Sequence, residues 1–199
     1  MAKTVIAGLL TRNGKDEKME IQGVGRFERD EAIGWYYSQE MPLKVLDGKA
    51  GRIVLEGYDD DSDKESFHKS IRNFLSIDQS VLHAVENEVY RYYKDCFDAF
   101  GKEEPDFPVI AKPHDVWVHV KLGCEPIFSR RNDDKRVYAS LECSCDWEIE
   151  HGLQIVFQDG MKVNKVGPYD GHLTNSDAYA DDSLENVIYR SLLAGRRLQ

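Results

Sequence analysis

The sequence predicts an α+β fold: antiparallel β-hairpins, a central helical pair packed on them, and a C-terminal helix. Two observations carry this. Alternating apolar runs, broken by Asn-Gly and Asp-Gly turns, fill both ends of the chain, and stretches with helical periodicity lie between them and again near the C-terminus. Strands grouped at both ends with helices between argue against a repeated βαβ sheet. The 199 residues fit one domain, 1–199. The connector 101–113, with three prolines, is the one place for a lobe boundary.

In chain order, Val5 to Leu10 reads as a strand, followed by a turn at Asn13-Gly14. Met19 to Phe27 reads as a second, weakened by Gly23 and Gly25. Ala32 to Ser38 carries Trp35, Tyr36 and Tyr37, and aromatics favour strands. Those rings could form a recognition surface or a small-molecule site; packing on the sheet is the plainer reading. Pro42–Leu46, Asp47-Gly48 and Arg52–Gly57 make a hairpin whose Ile53 and Leu55 face the core.

The acidic run from Asp59 to Glu65 tempts a calcium assignment. Counted from Asp59, however, Lys64 replaces the required glycine and Ser70 the bidentate glutamate. Ser62 and Glu65 instead spell a capping box ahead of Phe67, Ile71, Phe74 and Leu75, which recur at helical spacing. After Ser76-Ile77-Asp78, a second helix puts Val81, Val85, Val89, Tyr92, Cys96 and Phe100 on one stripe, stopped by Gly101. His68 and His83 are ordinary helix residues.

The segment 114–122 is open between two readings. Val116, Val118 and Val120 alternate as in a strand, while Trp117, Val120 and Lys121 suit a short helix. Glu125 to Ser129 starts a strand. Arg130, Arg131, Lys135 and Arg136 surround a turn and read as a solvated hairpin tip rather than a phosphate site. Val137 to Trp147 is a half-buried strand. Its parity places Leu141, Cys143, Cys145 and Trp147 inward, so the Cys-x-Cys pair reads as core packing rather than metal ligation. Asp159-Gly160 then turns Leu153–Gln158 back onto Met161–Val166, with Gln158 opposite Met161, Leu153 opposite Val166 and His151 near Pro168. Gly167 to Asp182 runs for sixteen residues without a clear element. A last helix starts near Asp182 and Ser183 and buries Leu184, Val187, Ile188 and Leu192; the tail 195–199 frays.

This hairpin register puts the start of the long loop, Gly167 to His172, beside the start of the first hairpin strand. The candidate site is therefore Asp146, Glu148, Glu150, His151, Asp170 and His172. Carboxylates and imidazoles suit zinc or manganese and neutral-pH acid–base work. On that reading the protein is a metal-assisted hydrolase: His151, Asp170 and His172 bind the metal, and Glu148 or Glu150 is the base. The preferred reading has no cofactor, with His151 and Asp170 bonding backbone groups and pinning the loop onto the hairpin.

The formal charge of −10 argues against nucleic acid and anionic membranes as partners and is compatible with a basic protein partner. Four cysteines in a chain of this length do not form a disulfide framework, so a reducing, cytoplasmic setting is expected. No apolar run approaches a membrane span.

The run Cys145–Gly160 (CDWEIEHGLQIVFQDG), Gly167–Thr174 (GPYDGHLT), Phe74–Leu82 and Tyr90–Asp95 resembles a bacterial family classed as a domain of unknown function. The resemblance covers most of the chain. It implies a single-domain cytoplasmic protein, some relatives lying near polymorphic-toxin immunity genes, and it brings no catalytic residues with it. The expectation is a non-enzymatic binding protein of immunity type that meets a basic toxin; the alternative is the metal-assisted hydrolase.

Overall fold

A computed structural model describes residues 18–194. The expected strand Val5–Leu10, the turn at Asn13-Gly14 and the tail 195–199 lie outside the described residues. The strands are β1 (Lys18–Ile21), β2 (Gly25–Arg29), β3 (Tyr36–Ser38), β4 (Met41–Leu43), β5 (Lys49–Gly51) and β6 (Val54–Leu55). The helices α1 (Lys64–Ser76), α2 (Ser80–His83) and α3 (Glu86–Cys96) follow. Then come β7 (Val120–Lys121), β8 (Ile127–Arg130), β9 (Val137–Cys145), β10 (Glu148–Gln158), β11 (Lys162–Gly167) and α4 (Asn175–Tyr179).

The α+β class holds. The main sheet runs β1-β2-β3-β6-β8-β9-β10-β11, with β7 beside the end of β9 and β4–β5 a separate ribbon. Its halves are joined in a way hairpins alone do not supply. β6 and β8 pair in parallel, Val54 with Ile127 and Leu55 with Phe128. A parallel pair needs a long crossover, and the three helices provide one.

The helices pack on the sheet face that carries Phe128 and Phe157. Phe74 meets both rings edge-on, at 5.6 and 5.2 Å between centroids. Phe67, Ile71 and Phe74 are buried as the periodicity of α1 predicts; each such side chain contributes about 1.5–3 kcal/mol of burial. One apolar cluster extends from Ile21 to Tyr189 and takes in Ile110 from the connector. Tyr93 clips that connector down: its hydroxyl donates to the Pro108 carbonyl and accepts from the Ile110 N–H.

The cap of α1 falls one residue later than the Ser62–Glu65 box. Asp63 is the N-cap and its carboxylate accepts from the Ser66 N–H at 3.2 Å. The second helix is divided: α2 ends before Val85, which has left the helical region at φ −117°, and α3 runs into a π-turn over Phe97–Gly101. The segment 114–122 contains both alternatives, a 3-10 helix Pro113–His119 followed by β7.

The hairpin turn is as expected, with Asp159 and Gly160 at φ 52° and 67° and the Met161 N–H bonded to the Gln158 carbonyl. A second demand falls on Gly160: a Cβ there would lie 2.1 Å from the Ser70 carbonyl, because α1 presses on the turn. The register differs. Gln158 faces Lys162, and a bulge at Val156/Phe157 puts Ile155, not Leu153, opposite Val166.

The far face of the sheet holds a buried polar layer. The Lys165 ammonium, 1% exposed, donates to Gln154 Oε1 at 2.7 Å, Asp170 Oδ1 at 2.5 Å and the His172 carbonyl at 3.2 Å. Gln154 in turn donates to Ser140 at 2.9 Å. The loop after β11 lies over this layer, and part of it is α4, capped by Thr174.

The arginine-rich turn is a solvated tip only in part: Lys135 and Arg136 are exposed, while Arg130 and Arg131 are not. Arg131 is buried and its fork grips Asp177 through two 2.8 Å bonds, with Glu185 and Ser176 alongside. Arg130 pairs with Asp61 in the run before α1. Carboxylates far away in sequence have captured both. The expected final helix shortens to a 3-10 turn, Asp182–Leu184, and the buried anchor there is Tyr189. Its hydroxyl donates to Asp95 at 2.7 Å, and the chain then bonds along β11 through Val166 N–H to the Ile188 carbonyl.

Candidate functional site

The candidate residues from Asp146 to His151 sit at the corner between β9 and β10. Cys145 pairs with Glu148, but the next register pair is Leu153 with Cys143. Residues 149–152 therefore bulge outward opposite Ser144 alone. Gly152 makes this possible: φ is 61°, and a Cβ would lie 2.4 Å from the Cys143 carbonyl. Glu148 organises the bulge, its Oε1 accepting from the N–H groups of Glu150 at 2.9 Å and His151 at 3.2 Å.

Across from the bulge, β7 lies on the end of β9, Val120 against Cys145 and Lys121 against Ser144. The 3-10 helix before it brings His119 to Asp146: Nδ1 and Oδ2 are 2.9 Å apart, and the Asp146 N–H donates to the His119 carbonyl. Between the two walls lies an open cleft of about 810 Å³. Glu142, Asp146, Glu148 and Glu150 line it, with Lys121 the one lysine or arginine among its lining residues. Two aliphatic side chains on its walls are almost wholly exposed, Val118 at 84% and Ile149 at 89%.

Of the six candidate residues, Asp146, Glu148, Glu150 and His151 line this cleft. Asp170 and His172 do not. Asp170 serves Lys165 and the His172 N–H, while Tyr169 reaches the cleft and its N–H donates to the His151 carbonyl at 3.2 Å. The set His151, Asp170 and His172 is thus divided between Glu148, 3.7 Å from His151, and Asp170, 3.4 Å from His172. Among the described residues no group of three or more His, Cys, Asp or Glu side chains is placed to hold a metal ion. Glu148 already spends an oxygen on two backbone donors, which leaves Glu150 as the freer carboxylate.

Burial pushes the thiols of Cys143 and Cys145 up to about 12, so neither supplies thiolate at neutral pH. Both are buried, in agreement with the parity of β9. Burial, followed by the Glu142 carboxylate, raises the Tyr169 phenol. Sequence reasoning missed His119 and Val118. Their approach depends on a two-residue strand, and nothing in the local pattern marks that pairing.

Fold and cleft define an α+β protein with an acidic, apolar-tipped cleft at one end of its sheet. The chain belongs to the family described as Domain of unknown function (DUF6985), whose model matches residues 23–173. That span contains the whole cleft and most of the sheet. No curated protein and no solved structure matches the chain. Among the described residues no helix is long and apolar enough to cross a membrane.

Proposed function

We propose that the protein is a non-enzymatic binding protein that engages a basic protein partner through the cleft between β7 and the β9–β10 bulge. The observation that carries this is Val118 and Ile149, exposed on the walls of a carboxylate-lined cleft. Exposed aliphatic groups set among polar ones are a common mark of an interaction surface. Four carboxylates against one lysine favour a cationic partner and speed its encounter. Within that class we propose an immunity-type role, in which the acidic cleft covers a basic toxin.

The test is a titration of ¹⁵N-labelled protein with a short peptide of alternating lysine and leucine, and with its glutamate–leucine twin. The basic peptide is expected to shift amides of the cleft and to weaken as salt is raised. Ile149→Ser should lower its affinity about tenfold, the loss of an interface anchor worth roughly 1–2 kcal/mol. Equal binding of the acidic twin, or shifts spread evenly over the surface, would refute the proposal.

A further inference from the structure

The cleft continues onto the sheet face turned away from the helices. Gly123, Cys124 and Glu142 line both the cleft and a second groove of about 260 Å³, whose other walls include Trp35, Tyr37, Val54 and Ile127. Its position follows from strand alternation. Phe128 points at Phe74 of α1, so Ile127 and its partner Val54 point the other way. Tyr37 pairs with Val54 in β3. The groove is thus aromatic and aliphatic at one end and carboxylate-bearing at the other.

The chain itself uses this chemistry at the groove's margin. The Arg52 guanidinium lies 5.4 Å from the centre of the Tyr37 ring, and its Nε donates to Glu125 at 2.9 Å. An aromatic face and a carboxylate together hold one arginine. Glu142, on the same groove, has no cationic partner among the described residues. Its neighbours on the groove include Trp35, half-buried rather than sealed in the core.

We infer that this groove takes an arginine side chain of the basic partner, its guanidinium against the aromatic rings of Trp35 and Tyr37 and paired with Glu142. The inference rests on the reading of the cleft as a docking site, and it makes the groove the residue-selective part of that site. A planar, weakly hydrated guanidinium stacks on aromatic faces and meets a carboxylate with a two-pronged fork. A lysine ammonium is compact, strongly hydrated and has no fork. The groove is built for the first.

The experiment measures calorimetric binding of the full chain to two short capped peptides, one alternating arginine and leucine, the other with lysine at every arginine. The arginine peptide is expected to bind about tenfold tighter, the gain of one partly desolvated cation–π contact with a paired carboxylate. Glu142→Gln, an isosteric change at an exposed position, should weaken the lysine peptide slightly, through the lost cleft charge, and the arginine peptide about tenfold more, so that the two bind alike. Trp35→Leu should do the same. Equal affinities in the parent protein, or an arginine preference that survives both substitutions, would overturn the inference while the docking reading stands. Binding of neither peptide would overturn both.

Discussion

Lys165 and Asp170 form an ion pair with unequal partners, and that inequality predicts an unequal response to mutation. The lysine side chain is 1% exposed and the aspartate 32%. Asp170→Asn leaves a buried ammonium facing a neutral amide, and breaking a buried pair on one side costs about 3–5 kcal/mol. The amide oxygen can still accept from Lys165, which brings the expected loss to about 3 kcal/mol. Lys165→Met removes the buried charge altogether. It leaves the partly exposed Asp170 able to hydrate and strands the Gln154 Oε1 and His172 carbonyl acceptors, a loss of about 1–2 kcal/mol. Equilibrium urea unfolding, with equal slopes confirming comparable denatured states, gives both values. A Lys165→Met loss as large as that of Asp170→Asn would refute the reasoning.

The same pair sets a pH dependence. Burial pushes the Lys165 pKa down, and the Asp170 hydrogen bond and charge offset part of that. The unfolded chain therefore holds the lysine proton to higher pH than the native state does. Stability gains as pH rises from the lowered value to the ordinary lysine value of about 10.4. Below that window the burial penalty is present in full. Subtracting the Lys165→Met profile from that of the parent should isolate this rise.

Two further outcomes follow from burial. Arg131→Met, which leaves Asp177 and Glu185 facing each other without the guanidinium, should cost about 3 kcal/mol. Hydrogen exchange in 175–189 should rise first, and Arg131→Lys should recover less than half because it lacks the fork. In native protein a thiol reagent should label Cys124, which is exposed, and spare Cys96, Cys143 and Cys145, which are buried and pushed up to about 12. Urea should release all four thiols, and rapid native labelling of Cys143 or Cys145 would contradict the packing of β9.

The local elements were legible in the order of the residues. Alternation in 137–147, helical spacing in 67–75 and the Asp159-Gly160 turn all reflect forces within a few residues: side-chain period and backbone sterics. The same alternation correctly buried Cys143, Cys145 and Trp147. Asp146, Glu148, Glu150 and His151 share one cleft because they are neighbours in the chain. The rest depends on partners far apart in the chain. The parallel pairing of β6 with β8, the capture of Arg131 by Asp177 and Glu185, and the approach of His119 to Asp146 join segments whose local patterns do not refer to one another. The bulges at 149–152 and at Val156/Phe157 belong to the same class. Each adds residues to one strand only, and whether that is tolerated is settled by what packs against the strand. Asp170 is the plainest case: its chemistry was set by a lysine whose burial no local pattern could announce.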